Sequence, residues 1–472
     1  MAARSLIASL LVVLMAAPLA AFEPEGEAPL ADRFQGPEAP THPLREDPAY
    51  TTREAMQLPG APTSASVAGM DVALGEAPPP PPQEQYFTLD ELKDEMKKVA
   101  WTKGDYQIVP YGILWGTMSY ETGRTFVGDF PQYVLPRRPK ANEQFHLDGR
   151  STRLGIDFGG PQIPLFNCAK SGGKVEIDFQ RMIDTENKPS ILLRHAYLEV
   201  KDEQFRLLFG QTWDVISPLY PGVLMYSVGW GGGNIGYRRA QFRGERYLAF
   251  SDVMLLTLQG SLNSDIITDA GADFAGDHSG WPVLEGRVAL TLGERGAGMK
   301  PIEFGVSGHI GEQIFDFRSP WLNPVTGLPR RTWSFNADVR IPIGERWGVQ
   351  GEFFTGENLG AFLGGALQGI DAGTQATPGS RDPIRSTGGW FDVWWDITSR
   401  MHTHVGYAID DPFNQDVTVG RLYNAFAFAN VSYDLTQKFL IGLEFTSWKT
   451  LWAAPANNGD SQRIEFVAKY GF

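Results

Sequence analysis

From Val109 onward the chain is written in segments of roughly ten residues in which apolar and polar side chains alternate, and no other feature limits its fold as tightly. Val175, Ile177 and Phe179 alternate with Lys174, Glu176, Asp178 and Gln180, and Phe205, Leu207 and Phe209 with Arg206 and Gly210. Trp333, Phe335, Ala337, Val339 and Ile341 alternate with Ser334, Asn336, Asp338 and Arg340, and Phe391, Val393, Trp395 and Ile397 with Trp390, Asp392 and Asp396. Ile464, Phe466, Ala468, Tyr470 and Phe472 alternate with Arg463, Glu465 and Lys469. Successive side chains of a strand point to opposite faces, so each segment offers one face to lipid and one to water. Ten residues at about 3.3 Å each, tilted about 45°, cross an apolar band of roughly 25 Å.

Sixteen such segments fall near 110–119, 145–158, 173–182, 191–201, 204–213, 236–244, 251–262, 282–292, 301–311, 331–342, 345–356, 387–397, 401–410, 421–434, 437–449 and 462–472. The connections Val200–Gln204, Pro342–Arg346, Ile397–Met401 and Asp434–Lys438 are short, whereas Tyr120–Glu143, Trp213–Gly236, Leu262–Pro282, Glu312–Arg330 and Gly356–Thr387 are long. Short periplasmic turns alternating with long external loops mark an outer-membrane barrel, and a soluble sandwich has no reason to show them. The exception is Gly159–Gly172, which is long where a turn is due and is expected to pack in the periplasm or the lumen. The reading is therefore all-β: a transmembrane antiparallel β-barrel of about sixteen strands over residues 105–472.

Composition agrees. The 472 residues include 53 glycines, 12% aromatics and only 20% charged residues, which suits strands, turns and aromatic belts. A net charge of −14 argues against a nucleic-acid partner, whose phosphates require Lys and Arg. Residues 1–21 read as a signal peptide, with Arg4, an apolar run from Leu6 to Met15 and small residues near Ala21. That run is too short for a membrane helix, and no later stretch reaches the roughly 20 apolar residues one needs. The single cysteine, Cys168, allows no intrachain disulfide. Residues 22–85, rich in Pro, Ala and Glu with the run Pro78–Pro82, lack apolar periodicity and are expected to form a disordered periplasmic tether. Residues 86–104 read as a short helix, begun by the capping pattern Thr88-Leu89-Asp90-Glu91 and ended by Gly104. The expected destination is the outer membrane of a Gram-negative-type bacterium. Phe472, ending a complete alternating strand, looks like the terminal signal that barrel-assembly machinery reads.

Several segments resemble the DcaP-like and phosphate-selective outer-membrane porins. They are Val109-Pro110-Tyr111-Gly112, Ser151-Thr152-Arg153-Leu154-Gly155, Leu193-Arg194-His195-Ala196-Tyr197, Phe209-Gly210-Gln211-Thr212-Trp213 and Arg239-Ala240-Gln241-Phe242-Arg243. Phe209–Trp213, followed by a Pro- and Gly-rich loop, is the most distinctive. The resemblance covers residues 110–250 well and the rest by architecture. It implies a homotrimeric channel for small hydrophilic solutes, general or anion-preferring, for carboxylates or phosphate.

Alternation turns Arg153, Arg206, Arg239 and Arg243 toward the lumen, on strands flanking the third long loop, 213–236. In porins that loop narrows the barrel, so these arginines are read as an anion-attracting strip, since charged rings at a constriction select ions. Asp214 and Tyr226 of the loop are expected to face the strip, and the Gly231–Gly233 cluster lets the loop turn. The plainer alternative is that the arginines pair with Asp157, Glu176, Asp178 and Glu245 and merely satisfy a polar wall.

Other motifs are weaker. Asp265, Asp269, Asp273 and Asp277 recur in one loop, but their spacing is not that of an EF-hand, and a solvated acidic loop is favoured over a calcium site. His402 and His404 share a strand face and are read as polar lining rather than metal ligands. Trp115, Trp281, Trp347, Trp394 and Trp448 are expected mainly in the membrane girdles. Gly231, Gly233 and Gly236 match G-x-G-x-x-G outside any strand-to-helix unit, so no dinucleotide site, and no other cofactor, is expected. No nucleophile motif argues for an enzyme. The rival readings are a structural envelope barrel whose tether grips peptidoglycan or another periplasmic partner, and an outer-membrane hydrolase.

Overall fold

The computed structural model describes residues 101–180, 190–266, 274–277, 279–295, 299–319, 322–374, 377 and 379–472. The expected signal peptide, the tether and the helix as far as residue 100 lie outside the described residues. The helix expectation is corrected at its end. Trp101–Lys103 is a strand that pairs with Tyr106–Ile108, and Gly104, at φ +60°, makes the turn between them. The sheet thus begins a few residues before the expected barrel boundary at 105.

Sixteen long strands follow: β1 (Tyr106–Glu121), β2 (Arg153–Ile163), β3 (Ala169–Asp178), β4 (Leu192–Lys201), β5 (Phe205–Trp213), β6 (Arg238–Ser251), β7 (Met254–Asn263) and β8 (Val283–Leu292). They continue with β9 (Ile302–Ser319), β10 (Leu322–Ile343), β11 (Trp347–Glu357), β12 (Arg385–Asp396), β13 (Met401–Pro412), β14 (Arg421–Thr436), β15 (Phe439–Trp452) and β16 (Gly459–Gly471). Each pairs antiparallel with the next. β16 then pairs with β1, from Arg463 opposite Glu121 to Gly471 opposite Ile113, and closes the barrel. Every alternating segment read from the sequence overlaps one of these strands, although 145–158 is broken at 149–152, so that its first part forms a separate short strand. The helical pieces among the described residues are four 3-10 turns.

Two short strands extend the cylinder. Gln144–Asp148 precedes β2 and pairs with the far end of β1, and Phe274–Asp277 precedes β8 and pairs with β9. At the closing seam the Phe472 N–H donates to the Gly112 carbonyl at 3.0 Å. The Phe472 ring lies where a Gly112 side chain would stand, since a Cβ there would meet it at 2.4 Å.

Two connections differ from expectation. Glu312–Arg330 is not a loop. β9 and β10 remain paired as far as Ser319 opposite Leu322, making one long hairpin. Pro324, Gly327 and Pro329 read as loop punctuation, yet the ladder to β9 continues past them. Gly159–Gly172 is likewise a hairpin, paired out to Ile163 opposite Ala169 and turned by a 3-10 turn with Asn167 and Cys168 at positive φ. Strand pairing, rather than a packed loop, explains its length.

The alternation sorts the side chains inside out relative to a soluble protein. Val175, Phe209, Phe335, Phe391, Leu443, Phe445 and Ile464 are exposed on the outer face, while Glu176, Asp338, Asp392, Glu444 and Glu465 are buried on the inner one. Lipid, not a protein core, covers the apolar face. Trp281 and Trp347 are exposed as girdle residues should be, and Trp347 stacks on Trp395 with centroids 4.8 Å apart. Trp115, Trp394 and Trp448 overturn that expectation, for all three turn inward and are buried. Phe445 sits midway along β15 and faces outward. Phe445→Arg is expected to destabilise the folded barrel by about 2–4 kcal/mol, the penalty for a cation facing lipid near the midplane. Reversible urea unfolding from bilayers measures this, and an unchanged midpoint would show that the face is not in lipid.

Candidate functional site

The inner wall is not uniform. Along β12 to β16 it carries large apolar groups, including Trp390, Phe426, Phe428, Trp448 and Val467, and these give the third loop a surface to pack on. Leu219, Val223 and Met225 of the loop join Trp390, Phe426, Phe428 and Trp448 in one cluster. Tyr220, Leu224, Tyr226, Val228 and Trp230 join Trp115, Phe130, Trp213 and Val467 in a second. Every residue from Asp214 to Gly236 except Gly222 is buried, so the loop lies inside the barrel. At Gly233 the loop backbone lies against the wall backbone, because a Cβ there would meet the Gly389 carbonyl at 2.5 Å, and its φ of +129° suits glycine.

A loop in a lumen carries backbone N–H groups that need acceptors. The wall supplies carboxylates. Val215 N–H donates to Glu285 Oε2 (2.6 Å), Leu219 N–H to Glu352 Oε1 (2.6 Å) and Gly222 N–H to Asp392 Oδ2 (2.5 Å). Leu224 and Met225 N–H donate to the two oxygens of Glu444, at 2.6 and 3.1 Å. The same device holds the loop between β11 and β12, where Ala366 N–H donates to Asp410 Oδ2 at 2.8 Å. That loop meets the third one directly, through Gly231 N–H to the Leu363 carbonyl and Gly236 N–H to the Phe362 carbonyl. Sequence reasoning did not single out Glu285, Glu352, Asp392 or Glu444 as anchors. The available signal was an acidic residue at the inward phase of a strand, as with Glu444 between Leu443 and Phe445.

The wall of β2 to β6 is densely charged, with arginines set among Glu176, Asp178, Glu199 and Glu245. Arg153, Arg206, Arg239 and Arg243 all point inward and are buried. They do not form one row but three groups. Arg153 Nε donates to Tyr226 Oη at 3.0 Å, and its guanidinium lies over the Tyr226 ring. Arg239 pairs with Asp214 at 2.7 Å and stacks on Phe362, 3.9 Å from the ring centroid. Arg206 and Arg243 share Glu245, at 3.6 and 2.6 Å, and Arg206 also meets Glu199 at 2.6 Å. Both loop residues named from the sequence, Asp214 and Tyr226, thus touch arginines of the strip. Of the alternative carboxylate partners, Glu245 takes two of the four arginines, and Asp157 pairs with Lys174 instead.

Two further arginines belong to this wall. Arg194 bridges Glu176 and Asp178 and donates to Tyr226 Oη at 2.7 Å. Arg238 lies over the Trp213 and Tyr237 rings. Tyr226 in turn donates to Asp178. Burial, reinforced by the Asp178 charge and opposed by Arg153 and Arg194, raises the Tyr226 phenol well above its usual pKa, so it remains protonated.

The weaker motifs resolve simply. Asp265 accepts from Gln313 at 2.9 Å, Asp269 and Asp273 lie outside the described residues, and only the backbone of Asp277 is described. His402 contacts Asp396 and Asp434, whereas His404 contacts Asp392, so the two histidines do not converge.

The closed barrel, apolar outside with a loop folded into a charged lumen, defines a transmembrane β-barrel of the porin architecture. No family model matches the chain, and no curated protein matches it. Among solved structures, the outer membrane channel DcaP of Acinetobacter baumannii superposes with a TM-score of 0.62 at 17% identity, covering 79% of this chain and 99% of that one. An anion-selective porin from Comamonas acidovorans matches at 0.49 and 11% identity, covering 78% and 100%. OprB of Pseudomonas putida matches at 0.47 and 9%, covering 81% and 96%. The fold of this chain is that of the DcaP channel.

Replacing Glu444 by Ala leaves the Leu224 and Met225 N–H groups without their acceptor. The loss of hydrogen bonds to a charged group is expected to destabilise the barrel by about 2–3 kcal/mol and to raise current noise as the loop loosens. A quiet channel of unchanged stability would mean that apolar packing alone holds the loop. Tyr226→Phe removes the hydroxyl shared by Arg153, Arg194 and Asp178, and a loss of about 1–3 kcal/mol is expected in the same unfolding measurement.

Proposed function

We propose that the protein is an outer-membrane porin through which small hydrophilic solutes diffuse passively, with a preference for anions such as carboxylates or phosphate, and that it works as a homotrimer without enzymatic activity. The observation that carries this reading is the asymmetry of the lumen around the infolded loop. On the β8–β15 side the inward carboxylates Glu285, Glu352, Asp392 and Glu444 are occupied by loop N–H groups. On the β2–β6 side Arg153, Arg194, Arg206, Arg238, Arg239 and Arg243 crowd one stretch of wall. Acidic groups tied up in hydrogen bonds on one wall and guanidinium groups on the other favour a passing anion over a cation. Guanidinium also suits the planar oxygens of carboxylate and phosphate. In the same proposal residues 22–85 are a periplasmic tether that plays no part in conduction.

Planar-bilayer recording of the purified protein under a potassium chloride gradient tests this. Conductance steps in threes and a reversal potential on the anion side are expected. Removing both charges in Arg153→Gln/Arg243→Gln is expected to lower the anion-to-cation permeability ratio by up to about fivefold, as befits charges worth about 1 kcal/mol at about 4 Å in water. Cation preference in the wild type would transfer selectivity to the acidic groups. Absence of conductance from folded barrels would remove the porin reading.

A further inference from the structure

The ladder of the barrel wall is interrupted between β1 and β2. β1 pairs with β2 as far as Ile113 opposite Arg153, and with the short strand Gln144–Asp148 from Thr117 opposite Asp148. Between those rungs Leu114, Trp115 and Gly116 stand against the four residues Gly149 to Thr152, and no rung joins them. An extra residue of this kind bends a strand. Here the bend is inward, because Arg150 is buried against Asp129 and Asp148, at 2.6 Å from each, and Ser151 is buried beside Gln180. Gly112 exchanges both of its backbone bonds with Phe472, so by alternation the Trp115 N–H points to the interrupted side. It donates to Thr152 Oγ1 at 3.1 Å in place of a rung.

At this break the wall holds a cavity of about 330 Å³, at the lower end of the range for small-ligand pockets. Leu114, Phe439 and Tyr470 flank it, Gly116 and Ala468 leave its base low, and Thr152 lines it from the interrupted side. A Cβ added at Gly116 would meet nothing within 4 Å, so the space there is open. Leu114 and Tyr470 share the outward face of Met118, Ile464 and Phe466, so the groove is continuous with the surface that lipid covers. Phe439 directly follows the short turn after β14, which sets the groove at the periplasmic end. No charged side chain lines it. Left empty, it would forfeit the dispersion contacts of its lining. A second copy of the chain would have to reach in past Leu114 and Tyr470, which stand out at 51% and 45% exposure, whereas a slender flexible chain passes between them. We propose that this groove binds one acyl chain of a membrane phospholipid, held between β15, β16 and β1 where the ladder to β2 fails. The site lies outside the lumen, so it stands whatever the pore conducts.

The test uses the full-length protein, purified from membranes in a mild detergent. Native mass spectrometry of the wild type is expected to find one phospholipid retained per chain. Gly116→Leu fills the groove and is expected to lower that retention about tenfold, the effect of losing about two buried methylene groups. Gly260→Leu places the same side chain on the outward face of β7, between the buried Gln259 and Ser261 and away from the groove, and is expected to leave retention unchanged. If Gly116→Leu fails to fold, wild-type crystals grown with a phospholipid carrying brominated acyl chains still decide, with an anomalous peak expected beside Gly116 and Ala468. A map without that peak, a wild type that retains no phospholipid, or equal retention in Gly116→Leu would overturn the proposal. So would a Gly116→Leu protein that loses its contacts between copies while keeping the lipid, since the groove would then belong to a second copy.

Discussion

A backbone N–H inside a membrane-spanning cylinder must find an acceptor, and in this barrel much of the interior follows from how the third loop meets that demand. Closure through β16 and β1 pairs the first strand with the last, so the cylinder has no edge there. The infolded loop has no such ladder. Its N–H groups turn to Glu285, Glu352, Asp392 and Glu444, on β8, β11, β12 and β15. Charge-assisted bonds of this kind are roughly twice as strong as neutral ones. A buried carboxylate would be unfavourable alone, and so would a buried loop backbone, but each satisfies the other.

That arrangement also fixes which charges face the pore. The carboxylates that hold the loop are oriented toward its backbone, while Tyr226 reaches across to Arg153, Arg194 and Asp178. One segment of about twenty residues therefore occupies part of the lumen and touches charged groups on both of its walls. The arginines are not free cations: Arg239 is paired with Asp214, and Arg206 and Arg243 share Glu245. On the β2–β6 wall each of these arginines sits beside a carboxylate, and Arg287 and Arg463 are buried inward on β8 and β16.

The cylinder was legible in the sequence because strand alternation is a local property. Lys174 to Gln180 or Arg463 to Phe472 announce their two faces without reference to anything else, and the inward turn of Arg153, Arg206, Arg239 and Arg243 follows from the same rule. What the loop touches was not legible, since Glu352 and Glu444 lie 133 and 219–220 residues from their partners. The inward tryptophans misled for a related reason. Trp115 and Trp448 were read as girdle residues from type and position along the strand, but their phase faces the lumen, where an apolar loop covers them. Glu312–Arg330 was read as a long connection, whereas β9 and β10 stay paired through most of it.

The long β9–β10 hairpin raises a separate issue. β10 has 22 residues, roughly 70 Å of strand at about 3.3 Å each, far more than a tilted crossing of the apolar band needs. Its partner β11 stops at Glu357, opposite Trp333, so β10 from Leu322 to Thr332 continues beyond the last rung on that side. Among the described residues no strand pairs with this margin, and an open strand edge is a template onto which another chain can add. Pro324 and Pro329 both fall in this stretch, and neither can donate an N–H to an incoming strand. Each proline in this hairpin lowers the number of backbone donors it can offer to an incoming strand.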